Sequence, residues 1–447
     1  MKKNFVLRGL LLLISLSFFQ IKPVNTNQTQ PVLLPDQGCT VFYAASEDVA
    51  LAGNNEDYLN PLTRAWFIPA GEGRYGRVYF GFDELFPQGG LNDQGLFFDG
   101  LALPYKALVS SAQKPAFPGG SIAMIDEIMS KSATVEEALA LIDRYSRPGL
   151  ETGQLFFGDR SGNSAIVDGD TILRKEGSYQ LATNFRLIEN PDPPYPCERF
   201  TTANQRLSEA SSYTVGLFTE ILDATHAEGA ASTVYSQVYD LKKGLIYLYL
   251  FHDFQNGIVI DLATELAKGP HMVAVASLFP QDKDLDLWTF QKLAQWKVNY
   301  ETRIDPQVKP NSLGGLSGDY RVSGDASAPP IKIYLEDDQL YYQKPNELPL
   351  ELYPESPFTL FHPFYNNCEL KLTFQRNLIG QVTGAQATMS YNDFGFEQTF
   401  SLEKPGALSN RLIIGLGVLT GVAILGVALA VIVRFRRADR LKQSTLL

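Results

Sequence analysis

Between residues 39 and 278 the chain keeps returning to one pattern: a short apolar or aromatic run, then a turn rich in Gly, Asp or Asn. Runs of this length and spacing read as strands rather than helices. Thr40–Ala45 and 49–53 read as a strand pair. Segments 77–82 and 96–103, rich in Phe, Tyr and Leu, fit buried strands. Segments 154–157, 165–168 and 171–174 follow, and 232–238, 245–251 and 257–262 come later. Helical spacing interrupts this at Ile122, Ile125 and Met129. It does so again after Thr134-Val135-Glu136-Glu137, a capping box whose helix has Val135, Leu139 and Ile142 on its face. Two sets of strands with helices between them predict an α+β fold in which sheets are sandwiched by helices.

Past residue 278 the pattern changes twice. Residues 282–303 read as a helix with Leu287, Phe290, Leu293, Ala294 and Trp296 near one face. The joint Asn311-Ser312-Leu313-Gly314-Gly315 marks a boundary. About 90 residues of short alternating strands follow, with Glu336-Asp337-Asp338-Gln339 as a hairpin turn. This stretch resembles the small lipocalin-like β-barrel appended to serine β-lactamase-type peptidases. It carries no catalytic set and reads as a binding or packing module.

The ends give the address. Met1-Lys2-Lys3 and Arg8 precede an apolar stretch, 10–19, which reads as a secretory signal. No A-x-A pattern follows it, which leaves an uncleaved anchor as the alternative. Residues 412–433 are uncharged, about 33 Å of helix at about 1.5 Å per residue, enough for a hydrocarbon core of about 30 Å. Arg434, Arg436, Arg437, Arg440 and Lys442 follow at once and predict a cytoplasmic tail. A net charge of −11 argues against nucleic-acid binding. Three cysteines make no disulfide framework, and no CxxC or Cys/His cluster has zinc spacing. None of the four histidines stands beside a GxSxG elbow.

Three segments carry chemistry: Gln37-Gly38-Cys39-Thr40, then Gly53-Asn54-Asn55-Glu56-Asp57, then Gly90-Leu91-Asn92-Asp93-Gln94-Gly95-Leu96. In that order they resemble the cysteine branch of the N-terminal-nucleophile hydrolases: choloylglycine hydrolases, penicillin V acylases and isopenicillin-N acyltransferases. The resemblance covers about residues 38–262 and implies a four-layer αββα core. It also implies cleavage of the Gly38–Cys39 bond, so that Cys39 uses its own α-amine as base. Amine and thiol titrate at about 7.7–8.0 and about 8.5, so one residue supplies nucleophile and base without a histidine.

By the same resemblance Asp57 holds the amine and tunes its basicity. Asn184, in Leu181-Ala182-Thr183-Asn184, donates to the oxyanion. Arg199, in Pro196-Cys197-Glu198-Arg199-Phe200, completes the polar network. Two positions depart from the pattern. Asn54 stands where choloylglycine hydrolases carry arginine, which moves the chain toward the acyltransferase-like members. Ala102 stands where they place an asparagine, so one oxyanion donor is absent or comes from the backbone. Phe97, Phe98 and Phe156, with Asn54, are the candidate substrate-binding residues and predict an apolar acyl pocket.

The whole chain is then expected to comprise a signal peptide (1–22), a pro-segment (23–38), a catalytic domain (39–278) and a helical linker (279–310). A β-barrel-like domain (311–405), a transmembrane helix (412–433) and a tail (434–447) follow. The expected activity is hydrolysis of a linear amide outside the cytoplasm, with no cofactor and no metal. The expected partners are a small amide with an apolar acyl group and the membrane. Acyl transfer on the same fold, or a binding protein on a decayed enzyme, are the alternatives.

Overall fold

The structure is a computed structural model that describes residues 38–324, 329–391, 396–408 and 413–414. Strands β1 (Thr40–Ala45), β2 (Ala50–Tyr58), β3 (Arg64–Ile68), β4 (Arg77–Gly81), β5 (Pro87–Asn92) and β6 (Leu96–Ala102) lead into helices α1 (Gly120–Lys131) and α2 (Val135–Ile142). Then come β7 (Gly153–Asp159), β8 (Ser164–Asp168), β9 (Thr171–Arg174) and β10 (Tyr179–Ala182), followed by α3 (Glu198–Glu209) and α4 (Val215–Thr225). The chain continues through β11 (Ser232–Asp240), β12 (Leu245–Leu250), β13 (Ile258–Asp261), α5 (Leu262–Leu266), β14 (His271–Ala274) and α6 (Lys283–Glu301).

These strands build two antiparallel sheets, one ordered β10-β1-β2-β11-β12-β13 and the other β14-β3-β4-β5-β6-β7-β8-β9. Alternation along each strand decides the layering, since successive side chains point to opposite faces. Val41, Tyr43, Ala50, Ala52, Phe97, Leu101, Phe156 and Tyr239 bury themselves between the sheets. Phe42, Ala44, Leu51 and Val238 face the other way, onto Phe200, Leu207, Phe218 and Leu222 of α3 and α4. On the second sheet Tyr79, Phe98 and Phe157 meet Ile128, Met129, Leu139 and Ile142 of α1 and α2. Helices therefore cover both outer faces of two stacked sheets. At about 1.5–3 kcal/mol per fully buried large apolar side chain, these three apolar layers hold the core together. The capping box at α2 forms: Thr134 accepts from the Glu137 amide while Glu137 accepts from the Thr134 amide.

The remaining strands close into a barrel: β15 (Gly318–Val322), β16 (Ile331–Glu336), β17 (Gln339–Gln343), β18 (Leu350–Ser356), β19 (Thr359–Pro363), β20 (Cys368–Arg376), β21 (Val382–Tyr391) and β22 (Phe396–Glu403). Closure comes from β15 pairing with β22. Asp337 and Asp338, at φ +45 and +61, form the two-residue turn between β16 and β17. Positive φ at both central positions is what a primed hairpin turn demands, and Asp tolerates it. Barrel and core meet through polar contacts. Asn60 Nδ2 donates to Asp83 Oδ1 (2.7 Å) and to Asn366 Oδ1 (3.2 Å), and the Tyr365 amide donates to Asp83 Oδ2 (3.2 Å).

Helix α6 corrects an expectation. Leu287 and Phe290, placed near one face with Leu293, Ala294 and Trp296, are 57% and 70% exposed, and of that set it is Trp296 that packs. The packed stripe is instead Leu285, Trp288, Trp296 and Tyr300, which step round the helix by turns. Trp288 meets Phe251 of the core in a tilted ring contact at 5.5 Å, while Tyr300 meets Tyr353 and Phe361 of the barrel. The helix thus straps the two units together through one stripe of large side chains, one end of which meets the core and the other the barrel. The proposed signal and the pro-segment up to residue 37 lie outside the described residues, as do the basic tail and all but two positions of the apolar run 412–433. No helix among the described residues is long and apolar enough to cross a membrane.

Candidate active site

Strand register brings the site together. β1 pairs with β2 so that Thr40 faces Asn55 and Val41 faces Asn54. One step further, Cys39 stands across from Glu56. On its other edge β1 pairs Val41 with Ala182, and continuing that register sets Asn184 across from Cys39. Cross-strand partners share a face. The thiol and Glu56 therefore both point between the sheets, where Cys39 Sγ donates to Glu56 Oε1 at 3.7 Å. Asn54 lies on the same face and its Nδ2 donates to Glu56 Oε2 at 3.4 Å.

Asp57 points to the opposite, helix-covered face. There it pairs across the strand with Thr233, whose hydroxyl donates to Asp57 Oδ1. Arg199 arrives from α3, at the helix's second residue. Phe200, Ala203 and Leu207, spaced for one face, press α3 onto the sheet and swing the guanidinium over the start of β1. Its Nη1 donates to the Gly38 carbonyl, to Thr40 Oγ1 (3.0 Å) and to Asp57 Oδ2 (3.2 Å), and its Nη2 to Asn184 Oδ1 (3.2 Å). Asn184 Nδ2 donates to the Ala102 carbonyl at 2.9 Å. Cys39, Asp57, Asn184 and Arg199 thus meet at the Gly38–Cys39 peptide.

Two glycines are required by this geometry. Gly38 has φ +135, and a Cβ there would stand 2.2 Å from Asn184 Oδ1. Gly53 lies under the Phe42 ring, where a Cβ would come within 2.6 Å. The glycine before the cysteine and the glycine opening the second segment are therefore steric necessities of the same strand pair.

Electrostatics on the two faces differ. Burial raises the Cys39 thiol well above its usual range, and Glu56, Asp57 and Asp99 push it further, so the thiol rests protonated. Burial raises Glu56 to about 8, with Asp57 adding to it. Asp57 rises to about 7 through burial, held down by Arg199 and the Thr233 hydroxyl. Asp99, from β6, is fully buried and raised well above the carboxylate range by desolvation and by Glu56. Neither of its carboxyl oxygens has a hydrogen-bond partner among the described residues.

The substrate-side candidates separate. Phe97 and Phe156 lie in the inter-sheet layer with Cys39. Phe98 does not: the alternation that turns Phe97 inward turns Phe98 onto α1 and α2, so it cannot line a pocket at the thiol. All three rings are buried. The thiol's surroundings are also less apolar than expected, since Glu56, Asp99 and Tyr235 share that layer, and Tyr235 is raised by Glu56, Asp99 and Cys39 after burial itself. Sequence reading passed over Glu56, Asp99 and Thr233. Glu56 was within reach, because period-two alternation puts it on the face of Ala50, Ala52 and Asn54. Asp99 and Thr233 carry no local signal.

No family model matches the chain, and no curated protein matches it. Among solved structures it is similar to penicillin V acylase from Agrobacterium tumefaciens, at 19% identity over 52% of this chain and 90% of that one, with a TM-score of 0.42. It is similar too to two variants of conjugated bile acid hydrolase from Clostridium perfringens, at 17% and 16% identity. Those alignments cover 55% of this chain and 98% and 97% of theirs, with TM-scores of 0.41 and 0.40. At this identity and score the likeness assigns no chemistry, and the residues around Cys39 must do so.

Proposed function

We propose that the chain is a self-processing cysteine amidohydrolase of the N-terminal-nucleophile type, tethered by a single span at 412–433 with its catalytic unit outside the cytoplasm. The observation that carries this reading is the convergence of Arg199, Asp57 and Asn184 on the peptide bond that precedes Cys39. In the first step the Cys39 sulfur attacks the Gly38 carbonyl carbon and the thiol proton passes to the Glu56 carboxylate. Arg199, already bonded to the Gly38 oxygen, stabilises the charge that develops there. The proton then moves to the Cys39 nitrogen as the C–N bond breaks, leaving a thioester between Gly38 and Cys39. That break frees the α-amine of Cys39, and water then hydrolyses the thioester, releasing a carboxylate on Gly38 and regenerating the Cys39 thiol.

That amine then serves as base for an external linear amide. It takes the thiol proton, the sulfur forms an acyl-enzyme, and the proton leaves with the departing amine. Asp57 orients the amine, and the Asn184 amide, released from Ala102, turns to the oxyanion. Because the first step needs ionised Glu56, self-cleavage should accelerate as pH rises toward about 8. Intact mass of the purified ectodomain tests the proposal. Wild type should begin at Cys39, and Cys39→Ala should keep the residues before it. The same start in both chains would overturn it.

A further inference from the structure

Away from the thiol, on the far side of Thr233, two histidines and a glutamate converge from separate elements. His226 caps the C-terminus of α4, Glu228 follows in the loop, and His252 lies in the turn after β12, at φ +66. One ligand atom from each lies within 4.8 Å of the other two. The two imidazole rings stack at 4.8 Å between centroids.

The hydrogen-bond pattern says which atoms are free. His226 Nδ1 faces the Asp223 carbonyl, which can only accept, so Nδ1 carries the proton. His226 Nε2 stands 3.3 Å from Glu228 Oε1, a contact in which the ring either donates or, with its proton on Nδ1, turns a lone pair toward a site shared with the carboxylate. A backbone carbonyl that fixes the tautomer in this way is the usual support of a metal-bound histidine. His252 Nε2 is buried and has no hydrogen-bond partner among the described residues. An imidazole nitrogen with no partner among the described residues, a second whose side-chain contact is Glu228, and that carboxylate are thus gathered in one cluster.

We propose that His226, Glu228 and His252 bind a borderline divalent cation of the zinc class, with water in the fourth position. Two imidazoles and one carboxylate suit Zn²⁺, whereas Ca²⁺ and Mg²⁺ want oxygen ligands. Bonds of about 2.0–2.2 Å put tetrahedral donors roughly 3.3 Å apart. The His226–Glu228 pair already stands at that separation, so His252 alone has to close in. The cation ties the loop after α4 to the end of β12. That loop is fixed from its other side by α6, where Trp288 Nε1 donates to the Gly229 carbonyl (3.3 Å) and Lys292 Nζ to the Ala230 carbonyl (2.9 Å). It also reaches Asp57, because Thr233 Oγ1 accepts from the Ala227 amide (2.7 Å) and donates to Asp57. The site acts as a clamp behind Asp57 and is independent of whether Cys39 is a nucleophile.

Zn²⁺ titration of the full-length chain against a chromogenic chelator tests this, in a Cys39→Ala background that removes thiolate binding there. One equivalent should bind, and Zn²⁺ should raise the melting temperature. Glu228→Gln changes an exposed side chain and so spares the fold. His252→Asn removes the imidazole with a residue that tolerates positive φ. Each should weaken binding by at least about tenfold. Absence of saturable binding, or equal affinity in either variant and the parent, overturns the proposal.

Discussion

The sandwich core and the barrel are both antiparallel β structures filled with aliphatic and aromatic side chains, yet they differ in what else they bury. The barrel interior holds residues such as Leu340, Leu360, Leu372, Ile333, Tyr320 and Tyr342. Among its described residues the buried polar ones are Asn366 and Asn377, and none is charged. The sandwich buries Glu56, Asp57, Asp99, Asp159, Asp168, Arg77, Arg147 and Arg186, among others. Burying an ionisable group costs free energy unless it is paired or neutral. Arg186 and Asp168 meet that condition as a pair, and Asp57 with Arg199 as another. Glu56 and Asp99 meet it only by keeping their protons. Such a pair beside a thiol works against stability, so the contrast is between a unit that buries carboxyl groups at that cost and one that buries none among its described residues.

Removing core volume from the barrel tests one side of that contrast. Leu372→Ala should cost about 2–5 kcal/mol in chemical denaturation and leave turnover of the folded protein unchanged, since Leu372 is buried in the barrel's apolar cluster. A fall in kcat would mean that the barrel takes part in the chemistry. On the other side, Asn184→Ala should lower kcat by about 10²–10³, or roughly 2.7–4 kcal/mol of transition-state stabilisation. Alkylation of Cys39 should persist in that variant. Single-turnover kinetics on a chromogenic acyl-amide read both, and wild-type kcat would remove Asn184 from the site.

Glu56→Gln sharpens the comparison through pH. The folded state holds Glu56 at about 8 against an ordinary 4.5. Its contribution to stability is therefore full below about 4.5 and is lost as pH climbs to about 8. Glutamine does not ionise, so the variant's melting temperature should gain on wild type across that window and then run parallel. A flat difference would show that Glu56 is not held neutral. No comparable pH dependence should follow a barrel substitution. Thr134→Ala is the smallest change, a lost helix cap worth about 1 kcal/mol. It should lower thermal stability and leave activity alone.

Local features of both units were legible because their causes are local. The α2 capping box needs only Thr134 and Glu137. The β16–β17 turn needs only Asp337 and Asp338. Cys39 and Asp57 were placed by the resemblance of the segments that Gly38 and Gly53 open, and the structure shows those glycines to be steric requirements. Arg199 and Asn184 were placed by resemblance, and their meeting over Gly38 depends on α3 docking through Phe200, Ala203 and Leu207.

What the sequence by itself determined is the set of strands, the alternation along them and the identity of the residues near the Gly38–Cys39 junction. Period-two patterning and turn chemistry act over a few residues and survive in any context. Which face each residue shows to which neighbour was decided by tertiary structure. Phe98 was assigned to a pocket and turned out under α1 and α2, and Leu287 and Phe290 of α6, placed on one face with Trp296, lie in solvent while Trp296 packs. The approach of Asp99 to Glu56, and of His252 to His226, joins strands from opposite sheets in one case and separate loops in the other. Such contacts are set by sheet pairing and layer packing, which sum many weak apolar contacts over the whole core and leave no local signal to read.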